Sequence, residues 1–232
     1  MMRRFTRAGL FSGMIEIQKG PGGVDVPVYS GQRDLLVARH SRISKHIFDT
    51  ITSVLLLAPL ALIALALLIV NPLLNPGPLM HHQRRMGLAG QPFTALKFRT
   101  MSPAVSPTRE AYDVLEEHRI SRLGRFMRGT RVDELPQIIN VLRGEMSLIG
   151  PRPDLYDHAR VYLKNVPDYA ARHQIMPGIS GFAQTEVGYV DGMDGIQRKV
   201  AADLYYIAHA GFWFDMWITW RTICVIVGRR GR

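Results

Sequence analysis

The sequence predicts a mixed α/β chain, mainly helical, with one helix buried in a membrane. Three observations carry this. Thr50 to Gln83 contains no Asp, Glu, Lys or Arg. Gln91 to Met101 alternates with the two-residue period of a strand, which puts Lys97 and Arg99 on one face. Leu135, Ile138, Ile139 and Leu142 recur at i, i+3, i+4 and i+7, the period of a helix with one apolar side.

Residues 1–40 mix Gly, Pro and scattered Arg, including Gly20-Pro-Gly-Gly23, without a sustained period. They are expected to form an irregular N-terminal extension. Residues 41–80 form the anchor. Val54 to Val70 is an unbroken run of Val, Leu, Ala and Ile apart from Pro59. Counted from Ile47, the run reaches the roughly 20 apolar residues that cross hydrocarbon. No small-residue cleavage site follows it and a long segment precedes it, so it does not read as a cleavable signal peptide.

Both flanks of the run are basic: Arg39, His40, Arg42, Lys45 and His46 before it, His81, His82, Arg84 and Arg85 after it. Cationic flanks favour the cytoplasm, so neither end is marked for translocation. Pro59 removes one helix hydrogen bond and crowds the preceding turn. The residues alone leave two readings open. One is a re-entrant helix that bends at Ala58-Pro59 and returns to the face it entered; the other is a plain span that tolerates the proline. Asn71 to Pro78 (NPLLNPGP) is a breaker cluster that ends the helix.

Residues 81–232 are expected to form the cytoplasmic domain. Arg109 to His118 reads as a polar helix with a solvated acidic face. Arg119, Arg122, Arg125 and Arg128 then recur at spacing three, which brings them together on a helix and suits phosphates or lipid headgroups. Two cations at alternate strand positions, Lys97 and Arg99, could grip one diphosphate. Pro136 is acceptable only in a first helical turn, so a helix should start near Asp133 and place Asp133 and Glu134 at its N-terminus. There the macrodipole favours negative charge and should keep Asp133 ionised. Capping explains such a pair; a nucleophile or metal ligand is the sharper reading. Pro151 and Pro153 fix the backbone on both sides of Arg152, so this arginine loses less freedom when it grips an anion.

Composition narrows the chemistry. The chain has 232 residues, one cysteine and a formal net charge of +10. A single Cys224 excludes an internal disulfide framework and a cysteine-cluster metal site. The positive excess calls for polyanions, and no nucleic-acid-binding signature accompanies it, so no nucleic-acid partner is expected.

Seven segments now stand in one order: residues 46–59, Gln83-Arg-Arg-Met-Gly-Leu-Ala-Gly-Gln-Pro-Phe93, Leu96-Lys-Phe-Arg-Thr-Met101, Asp133-Glu-Leu-Pro-Gln137, Asn140-Val-Leu-Arg-Gly-Glu-Met-Ser-Leu-Ile-Gly-Pro-Arg-Pro153, Pro177-Gly-Ile-Ser-Gly-Phe-Ala-Gln184 and Asp203-Leu-Tyr-Tyr-Ile207. Together they resemble the bacterial sugar transferase family, the monotopic polyprenyl-phosphate phosphoglycosyl transferases, over about residues 42–227. The resemblance implies a re-entrant membrane helix kinked at Ala58-Pro59 and amphipathic helices at the cytoplasmic face of the bacterial inner membrane. It implies transfer of a phospho-sugar from a UDP-sugar to undecaprenyl (polyprenyl) phosphate, with UMP released, as the first membrane step of exopolysaccharide, O-antigen or glycoconjugate synthesis. It further implies a phosphosugar ester on Asp133, Glu134 beside it, Mg2+ held by Asp133 and Glu134, and substrate contacts at Lys97, Arg99, Arg128, Pro151 and Arg152. Membrane lipid, a second copy of the chain and downstream glycosyltransferases are the other expected partners. The rival reading is a catalytically inactive, membrane-anchored scaffold for a polysaccharide assembly complex.

Three positions depart from the family pattern. Ala58 replaces the serine often found before the kink proline, Met176 stands where a cation often precedes the Pro-Gly-Ile motif, and Thr185-Glu-Val-Gly-Tyr189 replaces an Asn-Gly-Arg pattern. The last leaves the sugar open. Near the C-terminus Trp213, Trp217 and Trp220 fall in one helical stripe, suited to a membrane interface or to a core. Arg229, Arg230 and Arg232 follow and suit anionic headgroups.

Overall fold

The computed structural model describes residues 15–19, 25–29, 35–102, 111–113, 116–188 and 192–228. Within the stretch expected to be irregular, β1 (Ile15–Lys19) and β2 (Asp25–Tyr29) pair antiparallel, with Ile15 opposite Tyr29. The alternation of Ile15, Ile17 and of Val26, Val28 is a strand signal that the Gly-Pro residues between them obscure.

The anchor expected over residues 41–80 falls mostly in α1 (Leu35–Leu74), helical without interruption over 40 residues and through Ala58-Pro59. Ile43–Leu74 is long and apolar enough to cross a membrane; its most apolar stretch has a mean hydropathy of 2.9 and is 17% buried. One stripe faces inward. Asp49, Ser53, Leu60, Leu67 and Asn71 are buried along it, and Leu60 and Leu67 pack on Phe98, Met127 and Ile138. The opposite side, with Leu55, Leu62, Leu65, Leu68, Ile69 and Leu73, is bare.

Both ends of its apolar run are tied to the same body. At the first end Lys45 Nζ donates to Asp215 (2.7 Å) and to the Ile149 carbonyl (2.9 Å), while the Ser147 hydroxyl donates to Asp49 (2.7 Å). At the other, Asn75 Nδ2 donates to the Arg99 carbonyl (2.9 Å) and Arg99 Nε to the Pro78 carbonyl (2.7 Å).

The chain continues into an antiparallel hairpin of β3 (Met80–Met86) and β4 (Pro92–Phe98). The polar helix expected over residues 109–118 is not seen where the chain is described: Ala111 and Tyr112 form a turn and Glu117–Arg119 a single 3₁₀ turn. Tertiary contacts take over there: the Ala111 carbonyl accepts from the Tyr162 hydroxyl, and Ala111 and Tyr112 pack on the core around Tyr162. Arg109 and Glu110 lie outside the described residues. Next come α2 (Arg122–Gly129), capped by the Ser121 hydroxyl accepting from the Gly124 N–H at 2.9 Å, and α3 (Gln137–Leu142). Arg122, Arg125 and Arg128 ride on α2, whereas Arg119 precedes it and bonds the Ser102 carbonyl (2.8 Å).

β5 (Ser147–Ile149) and β6 (Gly178–Ser180) pair in parallel. They cross so closely that a Cβ on Gly178 would stand 2.1 Å from the Gly150 nitrogen. Between them run α4 (Tyr156–Asn165) and a 3₁₀ segment, Tyr169–Gln174; after them come α5 (Phe182–Glu186), α6 (Gly192–His209) and α7 (Phe212–Val227). The tryptophan stripe on α7 is open rather than packed: Trp213 is 81%, Trp217 41% and Trp220 63% exposed. Arg229, Arg230 and Arg232 lie outside the described residues.

Candidate active site

Asp133 and Glu134 lie in a 3₁₀ turn, Val132–Glu134, and the helix behind it starts only at Gln137. The expected helix start at Asp133 is thus displaced by one turn, with Pro136 just ahead of α3. The turn is entered through Arg131 at φ 57°, a left-handed conformation that costs a non-glycine residue about 1 kcal/mol or more. Both carboxylates are 7% exposed.

Glu134 is bound by cations from three elements. Arg152, after β5, donates to it from both terminal nitrogens, one at 2.9 Å. Lys97 of β4 donates at 3.1 Å, and Arg131 lies 3.7 Å away. Burial alone would raise the pKa of Glu134; Arg152 and Lys97 override it and hold the carboxylate well below its usual range. Arg152 also bonds the Ile179 carbonyl (3.1 Å).

Asp133 is different. Its Oδ1 is buried and has no hydrogen-bond partner. Burial, and after it the adjacent Glu134 charge, push its pKa up to about 6, against the opposing pull of Lys97, Arg152 and Arg128. The expectation that the helix dipole lowers this pKa is therefore overturned: α3 starts beyond the carboxylate, and desolvation outweighs what the helix offers. Burial likewise lowers Lys97 to about 7, with Arg152 and Arg85 adding to the shift and Glu134 opposing it.

The structure brings Lys97, Arg128 and Arg152 to the carboxylate pair. Arg128 Nε donates to the Thr100 hydroxyl at 2.9 Å. Pro151 shapes the approach, its carbonyl accepting from the Gly178 N–H at 3.0 Å. Arg99 goes elsewhere: β4 ends at Phe98, and the guanidinium of Arg99 bonds the carbonyls of Asn75, Pro78 and Met101. Lys97 and Arg99 therefore do not form one diphosphate grip; Arg99 fastens the exit of α1. Ala58 and Pro59 remain within α1, and none of these hydrogen bonds involves them.

Two cations missed from sequence join the group. Arg131 stands two residues before Asp133, which was the available signal. Arg85 of β3 donates to Gln83 (2.8 Å) and to the Pro153 carbonyl; burial, then Arg152, lower its pKa to about 10. Behind the Pro151-Arg152-Pro153 segment stands a second cluster without a local sequence signal. Arg172 pairs with Asp203 (2.7 Å) and Asp154, and donates to the Arg152 carbonyl (2.7 Å).

Arg85, Lys97, Arg128, Arg131 and Arg152 outnumber the two carboxylates they surround, so the site is electrically prepared for an anion of more than one charge. Among the described residues no group of three or more His, Cys, Asp and Glu is placed to hold a metal. The unpartnered Asp133 oxygen nevertheless fits Mg2+, which commonly takes one or two carboxylates and completes its shell with phosphate oxygens and water. Glu134 could join only by giving up the cations now on it.

The chain is similar to known proteins over most of its length. The family model described as bacterial sugar transferase matches residues 40–229. The chain belongs to this family. It is 39% identical over 181 residues to a UDP-glucose:undecaprenyl-phosphate glucose-1-phosphate transferase of Caulobacter vibrioides, covering 77% of this chain and 68% of that protein. It is 36% identical over 179 residues to a UDP-N-acetylgalactosamine-undecaprenyl-phosphate N-acetylgalactosaminephosphotransferase of Aeromonas hydrophila, covering 77% of this chain but only 42% of the relative. An uncharacterized sugar transferase of Bacillus subtilis, EpsL, is 35% identical over 193 residues and is covered for 90% of its length. The chain thus spans about two fifths of several longer relatives and most of the shorter ones.

Proposed function

We propose that this chain is a phosphoglycosyl transferase. It moves a phospho-sugar from a UDP-sugar to undecaprenyl phosphate, releases UMP, and passes through an ester on Asp133. The observation that carries the reading is the asymmetry of the carboxylate pair: Glu134 is saturated by Arg152, Lys97 and Arg131, while the neighbouring Asp133 oxygen is buried and unpartnered. The names of the relatives support the substrates.

The two carboxylates divide the work. Glu134 holds Arg152 and Lys97 in place before substrate arrives, so the cations meet the diphosphate already oriented. With a pKa near 6, Asp133 is mostly ionised at neutral pH. A carboxylate oxygen of Asp133 attacks the phosphorus attached to the sugar, the bond from that phosphorus to the UMP oxygen breaks, and UMP leaves with the electron pair. An oxygen of undecaprenyl phosphate then attacks the same phosphorus, and the bond to Asp133 breaks, restoring the carboxylate. Two displacements keep the two phosphorylated substrates from having to meet at once. Mg2+, held by Asp133 and diphosphate oxygens, would neutralise charge on the leaving group.

The proposed setting is the cytoplasmic face of the bacterial inner membrane, with α1 as a re-entrant helix. Two facts support it: the basic flanks, and the polar ties on both sides of the apolar run of α1, through Lys45 and Asn75, to one body. A run that returns to the face it entered needs such ties on both sides. The proposed role is the first membrane step of exopolysaccharide, O-antigen or glycoconjugate synthesis. The test is UMP release by the purified protein from a panel of UDP-sugars with undecaprenyl phosphate and Mg2+. Release with at least one sugar, lost with EDTA, is expected; no release from any would overturn the reaction.

A further inference from the structure

β5 is paired along one edge only. There the Ser147 and Gly150 N–H groups donate to the Pro177 and Ser180 carbonyls at 2.9 Å, and the Pro151 carbonyl accepts from Gly178. Among the described residues no strand pairs with the other edge. Buried strand groups without a partner are costly, so something else must meet them. Two side chains of α1 do. Asp49 accepts from the Leu148 N–H at 3.3 Å and from the Ser147 hydroxyl at 2.7 Å, and Lys45 Nζ donates to the Ile149 carbonyl at 2.9 Å. Lys45 and Asp49 are four residues apart, hence on one face of the helix. They bring an acceptor and a donor to the places where a third strand would bring a carbonyl and an N–H. The tie is enclosed. Asp49 and Ser147 are buried, and so is Asp215, which holds Lys45 from α7 and accepts from the Tyr206 hydroxyl at 2.7 Å.

We infer that Asp49, together with Lys45, is a positioning residue for Arg152: the membrane helix stands in for a third strand and fixes the strand that delivers Arg152 to the carboxylate pair. The inference rests on the function proposed above and gives the anchor a part in its chemistry. The path from the tie to the site is short and stiff. From Ile149 the chain passes through Gly150, where a Cβ would stand 2.6 Å from the Met176 carbonyl oxygen, and through Pro151, whose ring fixes the backbone. Arg152 follows, reaching Glu134 at 2.9 Å and the Ile179 carbonyl of β6 at 3.1 Å. A shift of β5 against β6 therefore moves the guanidinium away from one partner or the other. Misplacing a group that orients substrate by about 1 Å can cost on the order of a hundredfold in rate. On the opposite side of the same two turns of α1, Ile47 and Ile51 are bare. One stretch of helix thus offers an apolar face outward and holds the arginine's strand with the other.

The experiment is a double-mutant cycle on the full chain in lipid nanodiscs, read by calorimetric titration of UDP and by UMP release. Asp49→Leu removes both bonds that the carboxylate accepts. It should weaken UDP binding and lower kcat/KM, each by about tenfold or more. Asp49→Asn keeps an oxygen for the Leu148 N–H and should recover most of the loss. The deciding comparison is with Arg152→Ala. Because Asp49 acts through Arg152, the double variant Asp49→Leu/Arg152→Ala should be no weaker than Arg152→Ala alone. Ser147→Ala removes one hydroxyl and no charge; it should show the same coupling at smaller size, and it carries the test if Asp49→Leu does not fold. Losses that multiply in the double variants, wild-type UDP affinity in Asp49→Leu, or an Asn variant as weak as the Leu one would overturn the inference. The UDP titration needs no turnover. A wild-type protein that shows the coupling in UDP binding but releases no UMP therefore breaks the proposed reaction and leaves the positioning role standing, whereas multiplying losses in an active enzyme do the reverse.

Discussion

Two buried ion clusters meet at the Pro151-Arg152-Pro153 segment, and they follow opposite rules. Behind it, Arg172 and Lys199 face Asp154 and Asp203, charge against charge, and Tyr169 completes the set by donating to Asp154 at 2.8 Å. Asp154 is held far below the usual carboxylate range, because Lys199 and Arg172 outweigh its burial. In front, Asp133 and Glu134 face a surplus of cations, and one carboxylate oxygen is left without a partner. A matched cluster has nothing to offer a ligand and serves to hold a shape. An unmatched one is costly until an anion arrives. The carbonyl of Arg152 is fixed by the first cluster and its guanidinium belongs to the second, so the scaffold aims the arginine that the site uses.

Substitutions can break this contrast, and the largest effect should come from the front cluster. Asp133→Asn removes the charge and keeps the shape. It should abolish UMP release without lowering the melting temperature, since burial already disfavours the charged carboxylate. An active Asn variant would mean that Asp133 is not the attacking group. The rear cluster should respond in the opposite currency: Arg172→Met leaves Asp154 and Asp203 short of their partner and should cost about 3–5 kcal/mol of stability. Denaturant unfolding would check it, and a change in turnover at full stability would contradict a scaffold role.

Arg152→Ala should come next, lowering kcat/KM by an amount equivalent to about 2–4 kcal/mol. Lysine should recover only part of this, because it lacks the bidentate fork that meets Glu134. Wild-type turnover in the Ala variant would reduce Arg152 to a turn residue.

The smallest expected effect sharpens the rear side of the comparison. His173 is buried against the Gly87 carbonyl (3.1 Å), and burial, reinforced by Arg172, lowers its pKa to about 3 from an ordinary 6.5. Between those values the unfolded chain binds more protons than the fold does. Stability from a neutral His173 is therefore complete above about pH 6.5 and drains away as the pH falls toward 3. The melting temperature should drop on acidification in that window, and His173→Gln should flatten the drop. An equal drop in both proteins would assign it to other groups.

The front cluster was largely legible in the sequence because its parts lie in short motifs. Asp133, Glu134, Lys97, Arg128 and Arg152 could each be singled out from neighbours within a few residues, and the structure gathers them. What the period of a strand could not reveal was where the strand stops. Lys97 and Arg99 share a parity, yet β4 ends between them and Arg99 turns to the carbonyls at the end of α1. The rear cluster was illegible for a different reason. Arg172 and Asp203 are 31 residues apart and meet only when the 3₁₀ segment Tyr169–Gln174 packs on α6. Buried ion pairs of that span leave no local pattern. The membrane run was plain from composition, but that its two ends share one partner depends on Lys45–Asp215 and Asn75–Arg99, contacts that only the fold creates.

The central claim is that Asp133 carries the phospho-sugar between two displacements. Intact-protein mass spectrometry after incubation with UDP-sugar and Mg2+, with no lipid acceptor, tests it most directly. The expected result is UMP in solution and a phosphosugar adduct that maps to Asp133 and disappears when undecaprenyl phosphate is added. If no adduct forms and UMP is released only when both substrates are present, the transfer is direct and Asp133 acts as a base or metal ligand instead.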